Sequence, residues 1–168
     1  IRYADPKDPK NFEKKVDDKT RAFYGETLPN PYLRVFPIRE VSDIGRKYNI
    51  PLIMDNTAAP ILCKPIEHSA AVVIHSLTKY IGGHSDTLGG VVTTNKQDVW
   101  EKLHEYQKTS GGIMSPFDAY LCQRGLYTLG PRLVMHSANA HKLAEYLEKS
   151  EQIKEVFYPG LASNPHFA

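Results

Sequence analysis

The 168-residue chain holds only two cysteines, one tryptophan and three methionines, and the first of these scarcities already removes several classes of protein. Cys63 and Cys122 stand alone without C-x-x-C spacing, so the sequence offers neither a disulfide framework nor a cysteine-rich zinc site. Free thiols fit a reducing compartment, and a cytoplasmic location is expected. An excess of charge is also missing: 21 Lys and Arg against 19 Asp and Glu leave a net +2. That balance, with no interleaving of basic and aromatic residues, argues against nucleic acid or an acidic surface as partner. No apolar run reaches membrane-spanning length and no amino-terminal signal pattern occurs, so no membrane partner is expected. His68, His75 and His84 match no zinc spacing, and no metal is expected. Internal repeats and low-complexity tracts are absent as well. At this length the chain can bury a substantial core and counts as one domain.

What the sequence does contain is a short apolar run that ends in a lysine. Ala70-Ala71-Val72-Val73-Ile74 is too short for a typical helix and predicts a strand covered on both faces, as in parallel α/β sheets. It leads into His75-Ser76-Leu77-Thr78-Lys79-Tyr80-Ile81-Gly82-Gly83-His84-Ser85-Asp86. Ligands of such sheets collect at the carboxyl ends of the strands. Lys79 lies just past that end, where its amine could enter a dry pocket, lose its proton and form a Schiff base with a carbonyl cofactor. A second strand, Pro51-Leu52-Ile53-Met54, ends in Asp55-Asn56-Thr57. If the cofactor is pyridoxal phosphate, a carboxylate at Asp55 would keep the ring nitrogen protonated and make the ring an electron sink. The hydroxyls of Ser76 and Thr78 suit phosphate oxygens, and Asn30, between Pro29 and Pro31, could donate its amide to the ring hydroxyl. Each residue also has a plainer use. Lys79 could be a surface lysine, Asp55 a turn former, Ser76 and Thr78 caps, and His75 a packed histidine. Gly82-Gly83 and Gly89-Gly90 are simplest as turns needing positive φ.

The motifs in order are Glu26-Thr27 with Asn30-Pro31, Asp55-Asn56-Thr57, Pro65-Ile66-Glu67-His68, Ser76 to Tyr80 and Gly83-His84-Ser85-Asp86. After these come Gly89-Gly90, Ser115-Pro116-Phe117-Asp118, Arg124-Gly125-Leu126 with Thr128-Leu129, and Tyr158-Pro159-Gly160-Leu161. Together they resemble the pyridoxal-phosphate enzymes of cysteine and methionine metabolism, the transsulfuration family. The resemblance implies the large domain of a fold type I, aspartate aminotransferase-like transferase: an α/β structure with a mostly parallel sheet and helices on both faces. It implies pyridoxal 5'-phosphate as cofactor, with Lys79 as Schiff-base lysine, Asp55 as ring-nitrogen partner, Ser76 and Thr78 as phosphate ligands and Asn30 at the ring oxygen. It further implies a small amino-acid substrate and γ-replacement or γ-elimination on homoserine esters, cystathionine or methionine. The look of Glu26 to Asn30 and of Pro65 to His68 favours a homoserine-ester sulfhydrylase or synthase. Members of the family are homotetramers, dimers of dimers with shared active sites, and are roughly twice as long as this chain. Both ends are therefore expected to be cut, with residues 1–157 a partial cofactor-binding domain and 158–168 the start of a connection to a further domain. The family's phosphate loop, ring-stacking tyrosine and substrate-carboxylate arginine fall outside the chain. Local departures are Ala58-Ala59 after the Asp-Asn-Thr motif and Ser69 where glycine is common.

Periodicity supports alternating elements. Strands are expected around residues 22–25, 51–54, 70–74 and 89–94, and helices over 11–16, 37–48, 97–108, 117–123 and 131–149. Pro37 is placed at the first position of its helix, and Ser115 is a candidate cap ahead of Pro116. A rival chemistry arises because Ser76-Leu77-Thr78-Lys79 also satisfies the S-x-x-K signature of acyl-serine hydrolases, with Lys108-Thr109-Ser110-Gly111 as a faint K-T-G; no S-D-N triplet accompanies them. A non-enzymatic alternative, an inactive fragment that keeps the fold, also stands.

Overall fold

Three short runs of apolar residues, each followed by polar turn chemistry, build the centre of the molecule. In the computed structural model, which describes residues 1–165, they form β1 (Phe23–Glu26), β2 (Leu52–Asp55) and β3 (Val72–Ser76). The three strands are parallel neighbours in chain order, and β4 (Gly90–Thr94) joins β3 antiparallel. The expected mostly parallel sheet is thus present. The register aligns Glu26 with Asp55 and Asp55 with Ile74, so the carboxyl ends of β1 to β3 finish side by side.

Burial alternates along β1 and β2: Phe23 and Gly25, then Leu52 and Met54, point into the core, while Tyr24 and Glu26 are exposed. In β3 the adjacent Val72 and Val73 are both buried, so that strand is covered on both faces where it begins. The main core joins these side chains to Val41 and Ile38 of α2 (Ile38–Lys47) and to Phe12 of α1 (Lys10–Glu13). Phe12 meets Phe23 and Phe36 edge-on at 5.5 and 5.7 Å. Gly25 is required here, since a Cβ would sit 2.5 Å from the Phe36 ring. Fully burying each of the large apolar side chains contributes about 1.5–3 kcal/mol.

Several boundaries differ from expectation for identifiable reasons. Pro37 has ψ 73° and stands outside α2, its carbonyl accepting the first helical bond from Val41, so it occupies the cap rather than the first helical position. The expected helix at 11–16 is a single turn. The α3 (Gln97–Ser110) and α4 (Pro116–Tyr127) helices run longer than expected, and Ser115 caps α4 by accepting from the Asp118 amide at 3.1 Å. Thr128 ends α4 and opens α5 (Leu129–Glu148). Helix α5 therefore starts two residues ahead of Pro131, which falls in its first turn, where the lost N–H has no partner to lose. A smaller apolar cluster, Ile81 with Leu129 and Leu133, packs α5 beneath the turn that carries Lys79. Of the expected exit segment, residues 166–168 lie outside the described residues. Among the described residues no helix is long and apolar enough to cross a membrane, and no cluster of His, Cys, Asp and Glu could hold a metal ion.

Candidate active site

The Asp-Asn-Thr turn after β2 divides its work among three side chains. Asn56 is buried; its Oδ1 accepts from the Thr27 hydroxyl at 2.8 Å and its Nδ2 donates to the Cys63 carbonyl at 2.8 Å, tying the ends of β1 and β2 together. Thr57 Oγ1 accepts from the Ser76 amide at 2.8 Å and so fastens the end of β3 to the same turn. The Asp55 Oδ1 accepts from the Thr57 amide at 2.9 Å, a turn-forming bond, while among the described residues Oδ2 meets only the long 3.5 Å contact from the Tyr24 hydroxyl. Asp55 therefore forms the turn with one oxygen and leaves the other largely available.

Beyond Ser76 the chain makes a π-type turn, Leu77–Ile81, broken at Lys79 with φ −94° and ψ −122°. Its closing amides stay local, from Gly82 to the Leu77 carbonyl and from Gly83 to the Lys79 carbonyl, both at 2.8 Å. Thr78 Oγ1 accepts from the Gly89 amide at 3.2 Å, linking the turn to the start of β4.

In front of this turn lies an open cavity of about 990 Å³, whose lining includes Asn30, Thr57, Thr78, Lys79, Arg132 and His136. Of the five residues expected to act together, Asn30, Thr78 and Lys79 face this space. Asp55 and Ser76 stand at the adjoining strand ends and do not line it. The expected dry pocket is not found: Lys79 and Asn30 are exposed, because the cavity opens widely to solvent. Asp118 also faces the cavity, and the Ser115 and Thr87 hydroxyls, donating at 2.7 and 2.9 Å, hold its carboxyl below the usual range.

His75 behaves as a packed residue. Burial pushes its pKa below the ordinary value, against the pull of Asp55, and its buried Nδ1 has no hydrogen-bond partner among the described residues. Both cysteines are free, as expected. The S-x-x-K chemistry finds no support in the geometry: Ser76 ends a strand, and the short turn it precedes is broken at Lys79 itself, so serine and lysine do not sit one regular helical turn apart. Lys108 to Gly111 close α3 and do not line the cavity.

The donor set fits pyridoxal phosphate. A lysine amine, a threonine hydroxyl and an asparagine amide converge on a cavity of suitable size, and a carboxylate with one oxygen nearly unengaged stands at the neighbouring strand end. Sequence reasoning missed Thr57 as a link between β2 and β3, although it lies inside a motif already singled out. It also missed Arg132, which carries no local signal because its partners lie far away in the chain.

The chain as a whole is similar to several known proteins. Cystathionine beta-lyase of Lactococcus lactis subsp. cremoris is 46% identical over 147 residues, which cover 87% of this chain and 39% of that protein. O-acetyl-L-homoserine sulfhydrylase of Leptospira meyeri is 34% identical, over 100% of this chain and 47% of its own length. The solved metY of Campylobacter jejuni, which holds N'-pyridoxyl-lysine-5'-monophosphate, superposes with a TM-score of 0.91 at 31% identity, covering 97% of this chain and 49% of that one. This chain thus spans less than half the length of these relatives. A family model described as Cys/Met metabolism PLP-dependent enzyme matches residues 1–168, and the chain belongs to that family.

Proposed function

We propose that this chain is the cofactor-bearing part of a pyridoxal-phosphate-dependent lyase or synthase of sulfur amino-acid metabolism. The observation that carries the reading is the convergence of Lys79, Thr78 and Asn30 on one cavity at the carboxyl ends of parallel strands. Lys79 Nζ would hold the cofactor, Ser76 and Thr78 hydroxyls its phosphate, Asp55 the ring nitrogen and Asn30 the ring oxygen. When bound, the cofactor supplies an electron sink for negative charge on the substrate's α carbon. Once the substrate's amine has displaced it from the cofactor, the freed Lys79 amine would take the α proton and carry a proton to or from the β carbon, which requires the amine to be neutral at that moment. The Thr57 amide engages one Asp55 oxygen, so the other, met by the long Tyr24 contact, is the one that would pair with the ring nitrogen.

For the substrate, the sequence favours a homoserine ester, with a sulfur nucleophile replacing the γ substituent. The relative of that name is 34% identical, whereas the cystathionine beta-lyase is 46% identical, so cystathionine stands beside homoserine esters as a candidate. Residues 1–157 form a partial large domain and 158–168 its exit. The intact protein works in the cytoplasm as a homotetramer, an assembly supported by the exposed Phe117, Leu126 and Tyr127 of α4 and Val134, Met135 and Leu143 of α5.

The test is turnover by the full-length protein loaded with pyridoxal phosphate. Keto-acid release from cystathionine or thioether or thiol formation from an acylated homoserine, lost in Lys79→Ala, is expected. Absence of turnover on both substrate classes, with cofactor bound, would contradict the proposal.

A further inference from the structure

Helix α5 reaches back to the lysine turn through a single guanidinium. Arg132, in the first turns of α5, donates from Nη1 to the Tyr80 carbonyl at 2.7 Å and from Nη2 to the Gly125 carbonyl at 2.8 Å and the Ile81 carbonyl at 3.3 Å. Its Nε donates to Thr128 Oγ1 at 3.1 Å, which sets the plane of the fork. The helical turn stops at Ile81, so the Tyr80 and Ile81 carbonyls have no following turn of amides to bond, and the guanidinium takes that place.

The surrounding backbone is shaped for this contact. Gly83 has φ +75°, and a Cβ there would lie 2.2 Å from Arg132 Nη1. A Cβ on Gly125 would lie 2.3 Å from the Gly82 carbonyl oxygen and 2.4 Å from that of Ile81, so α4 touches the same turn backbone to backbone. Three elements, α4, α5 and the lysine turn, therefore meet at one cation, beside the apolar contacts of Ile81 with Leu129 and Leu133.

We propose that Arg132 is a positioning residue for Lys79. It bonds the two carbonyls that directly follow the lysine and lines the cavity Lys79 faces, so it fixes the direction in which the Lys79 amine leaves the backbone. Lysine replaces it only in part, because an ammonium is a compact point charge without a planar fork. The inference rests on the proposal that Lys79 anchors pyridoxal phosphate.

The experiment compares full-length wild type with Arg132→Met, Arg132→Lys and Thr128→Val. It measures the rate at which borohydride traps pyridoxal phosphate on Lys79 at saturating cofactor, the visible circular dichroism per bound cofactor, and the thermal midpoint without cofactor. Arg132→Met is expected to slow trapping about tenfold and to weaken the dichroism per bound cofactor, with Arg132→Lys between it and wild type. Thr128→Val keeps the guanidinium, loses its orienting acceptor together with the long 3.4 Å bond that Thr128 Oγ1 donates to the Gly125 carbonyl, and is expected to slow trapping roughly threefold even if the Met variant fails to fold. Folded variants that trap at the wild-type rate with unchanged dichroism per cofactor would overturn the inference, whatever their thermal midpoints. A wild type that is never labelled at Lys79 would overturn the cofactor proposal and this inference with it.

Discussion

The two halves of this molecule are held together by different means. Around β1, β2 and α2 the cohesion is apolar: a buried cluster from Phe12 to Val73 interlocks through side chains, with Met54 and Val41 fully excluded from water. Around the lysine turn the apolar cluster is small, Ile81, Leu129 and Leu133 with Leu77 packed against it, and it is joined by backbone approaches at glycine and one guanidinium. The first arrangement sets how stable the sheet is; the second sets where one amine points. Substitutions in the two regions should therefore fail differently.

Met54→Ala removes a fully buried side chain and is expected to cost about 2–5 kcal/mol in denaturant unfolding, while the molecules that stay folded still bind cofactor at Lys79. Gly125→Ala reverses that pattern. Its Cβ would collide with the Gly82 and Ile81 carbonyls, costing roughly 1–3 kcal/mol and, unlike Met54→Ala, lowering Lys79 labelling per folded molecule. Equal labelling per folded molecule in the two variants would erase the distinction between the halves. Ser115→Ala removes the cap of α4, on the lysine side, and should cost about 1 kcal/mol, read from the same unfolding curves; no change would mean that the Asp118 amide has another acceptor.

Two smaller effects sharpen the sheet side. Ser69 sits at φ +72° after the turn Pro65–His68, so Ser69→Gly should gain roughly 0.5–1 kcal/mol, less the bond its hydroxyl accepts from Arg46; a net loss would show that this bond outweighs the strain. His75 has a folded-state pKa below its ordinary 6.5, so the unfolded chain binds its proton more readily. Its stabilising contribution is full above about pH 6.5 and is lost as pH falls from there toward the folded value. In thermal unfolding across that window, His75→Gln should lose less stability than wild type, and parallel curves would contradict the assignment.

The sheet was legible in the sequence because each strand is a short apolar run closed by polar turn residues, and α2 because Ile38, Val41 and Ile44 repeat at helical spacing. The identities of Lys79, Thr78 and Asn30 as neighbours came from the motifs. Their exposure did not, since a strand-end lysine says nothing of what stands in front of it. Asn56 and Thr57 were legible only as a turn; that they bolt β1 and β3 to β2 depends on loops that meet through the fold. Arg132 was illegible, because its partners at Tyr80 and Ile81 lie 52 and 51 residues away and are main-chain carbonyls, which leave no mark on the sequence. Ser69 was visible as a departure, and its left-handed φ gives the physical reason glycine is favoured there.

The most direct test of the account is to load the full-length protein with pyridoxal phosphate, reduce it with borohydride and map the modified peptide by mass spectrometry. The account predicts a single phosphopyridoxyl group on Lys79, absent in Lys79→Ala. Label on another lysine, or none under saturating cofactor, would contradict it.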